Sequence, residues 1–170
     1  SISKMSGKPS VQEISDELKS KLLLNIIPEV GSVRANRLLN HFGAAKKIFA
    51  SSSEEVAAVC EVNVPLANKI INAPRSIDID GEIEKIKKLD VKITTIDDDS
   101  YPTQLKNISD PPVVLYYSGN FAKNDLFSVA VVGTRKPTSY GRMVAEKLVT
   151  ELSAFNVTIV SGLARGIDTV

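Results

Sequence analysis

The stretch "VAVVGTRKPTSYG", Val129 to Gly141, decides the fold. An apolar run with few polar positions meets a glycine, and a threonine able to cap a helix follows. The pattern is a strand buried on both faces, a sharp turn and a helix. Gly133 lets the backbone turn tightly and approach a ligand. The helix, capped by Thr138 and running to about Phe155, points free N–H groups and its positive dipole end back at that turn. Both features call for an anion. The dinucleotide fingerprint G-x-G-x-x-G is missing, because the next glycine after Gly133 is Gly141. Position 135 is an arginine, which would crowd a pyrophosphate lying on the turn. Arg135 and Lys136 suit phosphates that lie outside the turn. The competing reading is an ordinary βα turn with exposed cations.

The arrangement repeats downstream. "VTIVSG" is another buried strand, and "SGLARGID" is its turn. Ligands of open α/β sheets collect outside the carboxyl ends of the strands. Gly133, Thr134, Arg135, Lys136, Ser161, Gly162, Arg165 and Gly166 are therefore expected around one crevice that binds phosphate. Asp168 reads as a carboxylate at a helix N-terminus. Along the helix between the strands, Tyr140, Val144, Leu148, Leu152 and Phe155 share one side and are expected in the core. The second parallel strand delivers its turn and the chain stops. This is read as a doubly wound, mostly parallel sheet of the Rossmann-like type, truncated at the C-terminus.

The preceding region has a different pattern. From Val11 to Ala73 the apolar spacing is helical, after a small polar tail, Ser1–Ser10. Leu18, Leu22, Leu23 and Ile26 form one stripe. Val33, Leu38, Leu39 and Phe42 form the next, stopped by Gly43. Ser53 is the expected N-cap of a further helix, Pro65 stands near the start of another, and Pro74 is expected to end the block. Then "DGEIEKIKKLD" reads as a helix with Ile83, Ile86 and Leu89 on one face. "VKITTID" and "VVLYYSG" read as strands, separated by a loop with a short helical turn. The expected organisation is a tail over 1–10, an all-helical domain over 11–75, and a Rossmann-like domain from 76 to 170.

Within the helical block, "IPEVGSVRANRLLNHFG" fits the helix-hairpin-helix pattern. Its hairpin at Gly31 exposes backbone N–H groups that can hold a DNA phosphate without reading bases. Gly31 and Arg34 are the candidate contacts. From Lys19 to Ala50, six basic residues, Lys19, Lys21, Arg34, Arg37, Lys46 and Lys47, stand against the single acid Glu29. "EVNVPLANKII" resembles a second copy with Asn63 in place of the glycine. The competing reading is a helical packing module.

Composition narrows the classes. The 170 residues are 43% hydrophobic, enough for a core, and the net charge is +1, so no global field announces a polyanion. The sole cysteine, Cys60, and sole histidine, His41, leave little material for disulfides, cysteine-rich zinc sites or Cys/His catalysis. Cys60 reads as core and His41 as helix surface. The run Asp97–Asp99 reads as a solvated loop, so no metal site is expected. The crevice lacks a clustered base and nucleophile, so no catalytic residue and no cofactor are expected. No run approaches the ~18 residues of a membrane span, and the N-terminus has no signal-peptide core. A cytoplasmic protein without membrane contact is the default.

Together, "YPTQLKNISDPPVVLYYSGN", "VAVVGTRKPTSYG" and "IVSGLARGID" resemble, in order and spacing, the consecutive motifs of the DNA-processing protein A family (DprA, also called Smf). The helical block corresponds to that family's SAM-like or helix-hairpin-helix region. The resemblance implies an extended Rossmann-like domain that binds single-stranded DNA and is not an enzyme. It implies protection of incoming strands during natural transformation, loading of the RecA recombinase, and a homodimer of the full-length protein. It assigns Arg135 to the DNA backbone and Ser161, Gly162, Arg165 and Gly166 to the same pocket. Tyr140 is the aromatic nearest the turns, but its place in the helix stripe points to the core. Two other readings remain open: a phosphoribohydrolase-like enzyme on a related fold, and a non-catalytic protein-docking module.

Overall fold

Local signals account for most helix boundaries. The computed structural model describes residues 14–121 and 127–170, so the expected tail lies outside the described residues. Helix α1 (Asp16–Ile26) starts where Ser15 accepts the Leu18 N–H through its side chain, at 3.2 Å. Helix α2 (Ser32–Phe42) stops at Gly43, which is left-handed with φ 74° and donates its N–H to Leu39 O at 2.8 Å. Helix α3 (Ala45–Ile48) is one turn long. Helix α4 (Ser53–Cys60) is capped by Ser52 rather than Ser53, with Glu54 and Glu55 in its first turn. Helix α5 (Val64–Ser76) is capped by Asn63 and carries Pro65 at its start.

Pro74 does not end the block. It lies inside α5, which runs two residues further. A proline this close to a helix end removes only its own hydrogen bond, and the Ile77 N–H still reaches Ala73 O at 2.9 Å. Helix α6 (Ile79–Lys88) follows, capped by Asp78. Ile83 and Ile86 are buried as expected, but Leu89 is exposed. Leu89 is the C-cap residue, where the helix and its face have already ended.

Strand β1 (Lys92–Thr95) pairs antiparallel with β2 (Val114–Tyr117), with Ile93 opposite Tyr116 and Thr95 opposite Val114. Between them lies the one-turn helix α7 (Thr103–Lys106). The Asp97–Asp99 run has structural work in this loop. Asp97 pairs with the buried Lys21 of α1, and Asp98 accepts the Thr95 N–H and hydroxyl at 2.6 and 3.0 Å.

The described residues form two compact units, one ending at Ser118 and the other beginning at Gly119. In the first, residues of α6 and β2 share the helices' core: Ile83, Val113 and Val114 join Leu22, Leu24, Leu38, Ile48, Val56 and Ile70. The boundary between compact units thus falls after β2, whereas composition changes at residue 75. Each such leucine or isoleucine contributes roughly 1.5–3 kcal/mol relative to exposure. Cys60 belongs to this core, and burial pushes its thiol pKa up. Val33 of the α2 stripe is exposed, beside the hairpin.

The second unit has one βαβ motif: β3 (Ser128–Ala130), α8 (Ser139–Ala154) and β4 (Thr158–Val160). The strands are parallel, with Val129 opposite Ile159. A 3-10 turn, Ile167–Thr169, follows. The whole is an α/β architecture. Burial of β3 and β4 on both faces is not found among the described residues: Val129, Val132 and Val160 are exposed. The α8 stripe is also largely open, with Tyr140 at 72% and Phe155 at 80% exposure. Ala145 is the buried hydrophobic residue of α8. Apolar periodicity shows which face wants a partner; two strands and one helix are too few to cover it.

Candidate nucleic-acid interface

The two turns at the carboxyl ends of β3 and β4 are joined by one side chain. Asp168 accepts the Gly133 N–H through Oδ1 at 3.0 Å and the Gly162 N–H through Oδ2 at 3.1 Å. Asp168 does lie in the first turn of a short helix, the 3-10 turn Ile167–Thr169, as its sequence reading expected, but the bridge was missed. The available signal was an acid just past Arg165 and Gly166, with strand-end glycines upstream.

The glycines serve that closure. Gly166 is buried, with φ 109°, and a Cβ there would collide with Thr134 O and lie 2.7 Å from Arg135 Cα. The Ile167 N–H donates to Thr134 O at 3.2 Å. The Ser161 hydroxyl donates to Asp168 O at 2.8 Å and accepts the Leu163 N–H at 3.2 Å. Thr134 Oγ1 accepts the Lys136 N–H at 3.2 Å. The expected residues are thus brought together, with a division of labour. Gly133, Thr134, Ser161, Gly162 and Gly166 shape the turns. Arg135, Lys136 and Arg165 are exposed and have no ion-pair partner among the described residues.

Helix α8 begins at Ser139, well past Gly133, and Thr138 caps it by accepting the Gly141 N–H at 3.1 Å. Its first turn has no acid and holds the exposed Arg142. A cation there opposes the helix dipole, a placement that an incoming anion would relieve. By contrast α1, α4 and α6 place acids in their first turns.

The Gly31 hairpin is built differently. Gly31 is the exposed N-cap of α2, and nothing lies within 4 Å of where its Cβ would be. It borders a cleft of about 380 Å³ with Ser32, Val33, Arg34, Arg37, Cys60 and Glu61. Arg34 donates to its own hairpin, at Glu29 O. Arg37 pairs with Glu61 at 2.9 Å, and this carboxylate raises its pKa. Lys19 pairs with Asp80 at 2.8 Å, which raises its pKa too. Lys69 holds the Glu29 carboxyl below its usual range. Three of the six cations, Lys19, Lys21 and Arg37, are thus matched by acids distant in sequence, while Lys46 and Lys47 are exposed and make no ion pair among the described residues. Asn63 occupies the equivalent position before α5, and its side chain caps that helix at Leu66 N, 3.0 Å away. His41 is exposed and meets Glu55 at 3.1 Å.

No group of three or more His, Cys, Asp or Glu residues among the described residues is placed to hold a metal ion. No helix of the described residues is long and apolar enough to cross a membrane.

Comparison with known proteins converges on the same segment. Residues 92–170 match the family of DNA recombination-mediator protein A. The chain is 32% identical over 143 residues to Protein Smf of Synechocystis sp., covering 82% of this chain and 36% of that protein. It is 46% identical over 74 residues to DNA processing protein DprA of Bacillus subtilis, covering 40% of this chain and 23% of that one. With DNA processing protein DprA of Streptococcus pneumoniae it shares 46% identity over 72 residues, 42% of this chain and 25% of that protein. The chain thus spans about a third or less of these relatives.

Proposed function

Since the chain belongs, through residues 92–170, to the DNA recombination-mediator protein A (DprA/Smf) family, we propose that it is part of a non-catalytic protein that binds single-stranded DNA. The observation that carries this reading is the group of exposed cations, Arg135, Lys136 and Arg165, without an ion-pair partner among the described residues, on two turns that one carboxylate holds together. Cations fixed on a rigid edge suit successive phosphates of a flexible strand, without sequence preference. Tyr140, the aromatic nearest the turns, stands in the first turn of α8, where stacking of a base on it would add to such binding.

In this reading residues 76–170, with the βαβ motif, are the N-terminal part of an extended Rossmann-like domain, and residues 11–75 form a SAM-like, helix-hairpin-helix segment in which Gly31 and Arg34 are secondary DNA contacts. Gly133, Thr134, Ser161, Gly162 and Gly166 set the backbone on which the cations stand. The intact protein acts in the cytoplasm, protects incoming strands during natural transformation, loads the RecA recombinase and works as a homodimer. No cofactor enters this scheme. Gel shift of the intact protein with single- and double-stranded oligonucleotides tests it. The expected result is preference for the single strand, lost in Arg135→Ala while circular dichroism stays native. Equal binding by wild type and Arg135→Ala at moderate salt overturns the assignment.

A further inference from the structure

The position that strand-end turns ordinarily offer to a phosphate is already filled. In open α/β sheets, amides at the carboxyl ends of parallel strands hold ligand phosphate oxygens. Here Gly133 and Gly162, on adjacent strands, direct their N–H groups at the two oxygens of Asp168. A carboxylate is itself an oxyanion, and it uses the geometry that phosphate would use.

The segment carrying Asp168 is held from several sides. The Ser161 hydroxyl donates to the Asp168 carbonyl, Ile167 N–H donates to Thr134 O, and Thr169 Oγ1 donates to Gly166 O at 3.1 Å. Side chains at the three glycines would break the fit. A Cβ at Gly133 would lie 2.8 Å from Ile167 Cβ, and one at Gly162 would lie 3.0 Å from Asp168 Oδ2. At Gly166 it would strike the Thr134–Arg135 backbone. These glycines therefore admit the protein's own segment where a nucleotide-binding turn would admit its ligand.

We propose that Asp168 is a specificity-determining internal anion: it closes the two turns to inorganic phosphate and mononucleotides. Polymer phosphates are left to Arg135, Lys136 and Arg165, a second half that rests on the single-strand reading above. Two effects act together. The amides that would grip a phosphate oxygen are occupied, and the fixed negative charge repels a second anion. The cations stand exposed on the same two turns. A strand that spans several of them binds, while a single small anion gains too little.

Calorimetry of the intact protein with inorganic phosphate, and separately with adenosine monophosphate, tests the exclusion. Wild type is expected to bind neither. Asp168→Ala frees two amides and removes the charge, so phosphate binding is expected to appear, at least about tenfold above the detection limit at which wild type shows none. Asp168→Asn keeps one acceptor oxygen without the charge and is expected to fall between. Thermal melting establishes which variants fold. Because Asp168→Ala removes a structural bridge, the wild-type protein carries an independent arm. The amide nitrogen and proton shifts of Gly133 and Gly162 are expected to stay fixed during a phosphate titration. Saturable movement of those two signals in wild type, or a folded Asp168→Ala without gained phosphate binding, overturns the proposal. Oligothymidylate binding, measured in parallel, reads the single-strand function separately: its failure contradicts that function, while the phosphate arms still decide the exclusion.

Discussion

The helical segment and the strand-end turns both look basic in sequence, yet they differ in how much of that charge the fold matches: half of the six helical-segment cations meet acids, and Lys46 and Lys47 stay exposed. In the helical unit, Lys19, Lys21 and Arg37 meet Asp80, Asp97 and Glu61. Even the N-terminus of α3 is served from within, since Glu17 accepts the Ala45 N–H at 2.6 Å. In the βαβ unit, Arg135, Lys136 and Arg165 stand exposed without ion partners among the described residues, while the one nearby carboxylate is spent on backbone amides. Local charge density is therefore a poor guide to an anion site. What matters is whether the fold brings a counter-charge to each cation.

The sharpest way to break this contrast is to remove the shape of the turns. Gly166→Ala places a methyl group into the Thr134 carbonyl and demands a backbone conformation that side chains rarely adopt. It is expected to cost about 1–3 kcal/mol from the backbone strain alone. Chemical denaturation should show the loss, with single-strand binding falling alongside. A native-like midpoint would mean that the segment does not pin the Arg135 turn.

Removing a cation from that turn comes next. Arg135→Ala is expected to weaken single-strand binding by roughly tenfold to a hundredfold, the range of a lost charge-assisted hydrogen bond. Its thermal midpoint should hold, because Arg135 is exposed and makes no ion pair among the described residues. Fluorescence anisotropy with a labelled oligonucleotide checks the first, and melting the second.

Asn63→Ala probes the helical unit without touching charge. Loss of the cap on Leu66 N is expected to cost about 1 kcal/mol, measured by denaturant unfolding, with DNA affinity unchanged. The smallest effect is expected from Arg37→Ala. Its partner Glu61 is solvent-exposed, so stability should barely change, and single-strand affinity should fall by at most about threefold. A large loss of DNA binding in Arg37→Ala would erase the distinction between the two regions.

Legibility in sequence followed the range of the interaction. The cap at Thr138, the stop at Gly43 and the strand-turn-helix at Gly133 depend on residues a few positions apart and could be read directly; the cap of α4 was read one residue late, at Ser53 instead of Ser52. The Lys19–Asp80 and Lys21–Asp97 pairs join segments that only the fold brings together. Counting cations between Lys19 and Ala50 therefore overstated the field at the hairpin. The candidate site was half legible. The glycines and cations could be named, but the Asp168 bridge could not, because it requires the register of β3 against β4. The stripe of Tyr140, Val144, Leu148 and Phe155 has core-like spacing, yet spacing does not supply the surface that would cover it.

The salt dependence of single-strand binding, compared between wild type and Arg135→Ala in the intact protein, tests the phosphate-clamp reading most directly. Each phosphate neutralised on a single strand contributes a slope of roughly −0.7 in the logarithm of affinity against the logarithm of salt. If Arg135 neutralises one phosphate, its removal should make the slope shallower by about 0.7, while Arg37→Ala leaves it unchanged. A slope that is the same in wild type and Arg135→Ala would contradict the assignment of the strand-end cations to the DNA backbone.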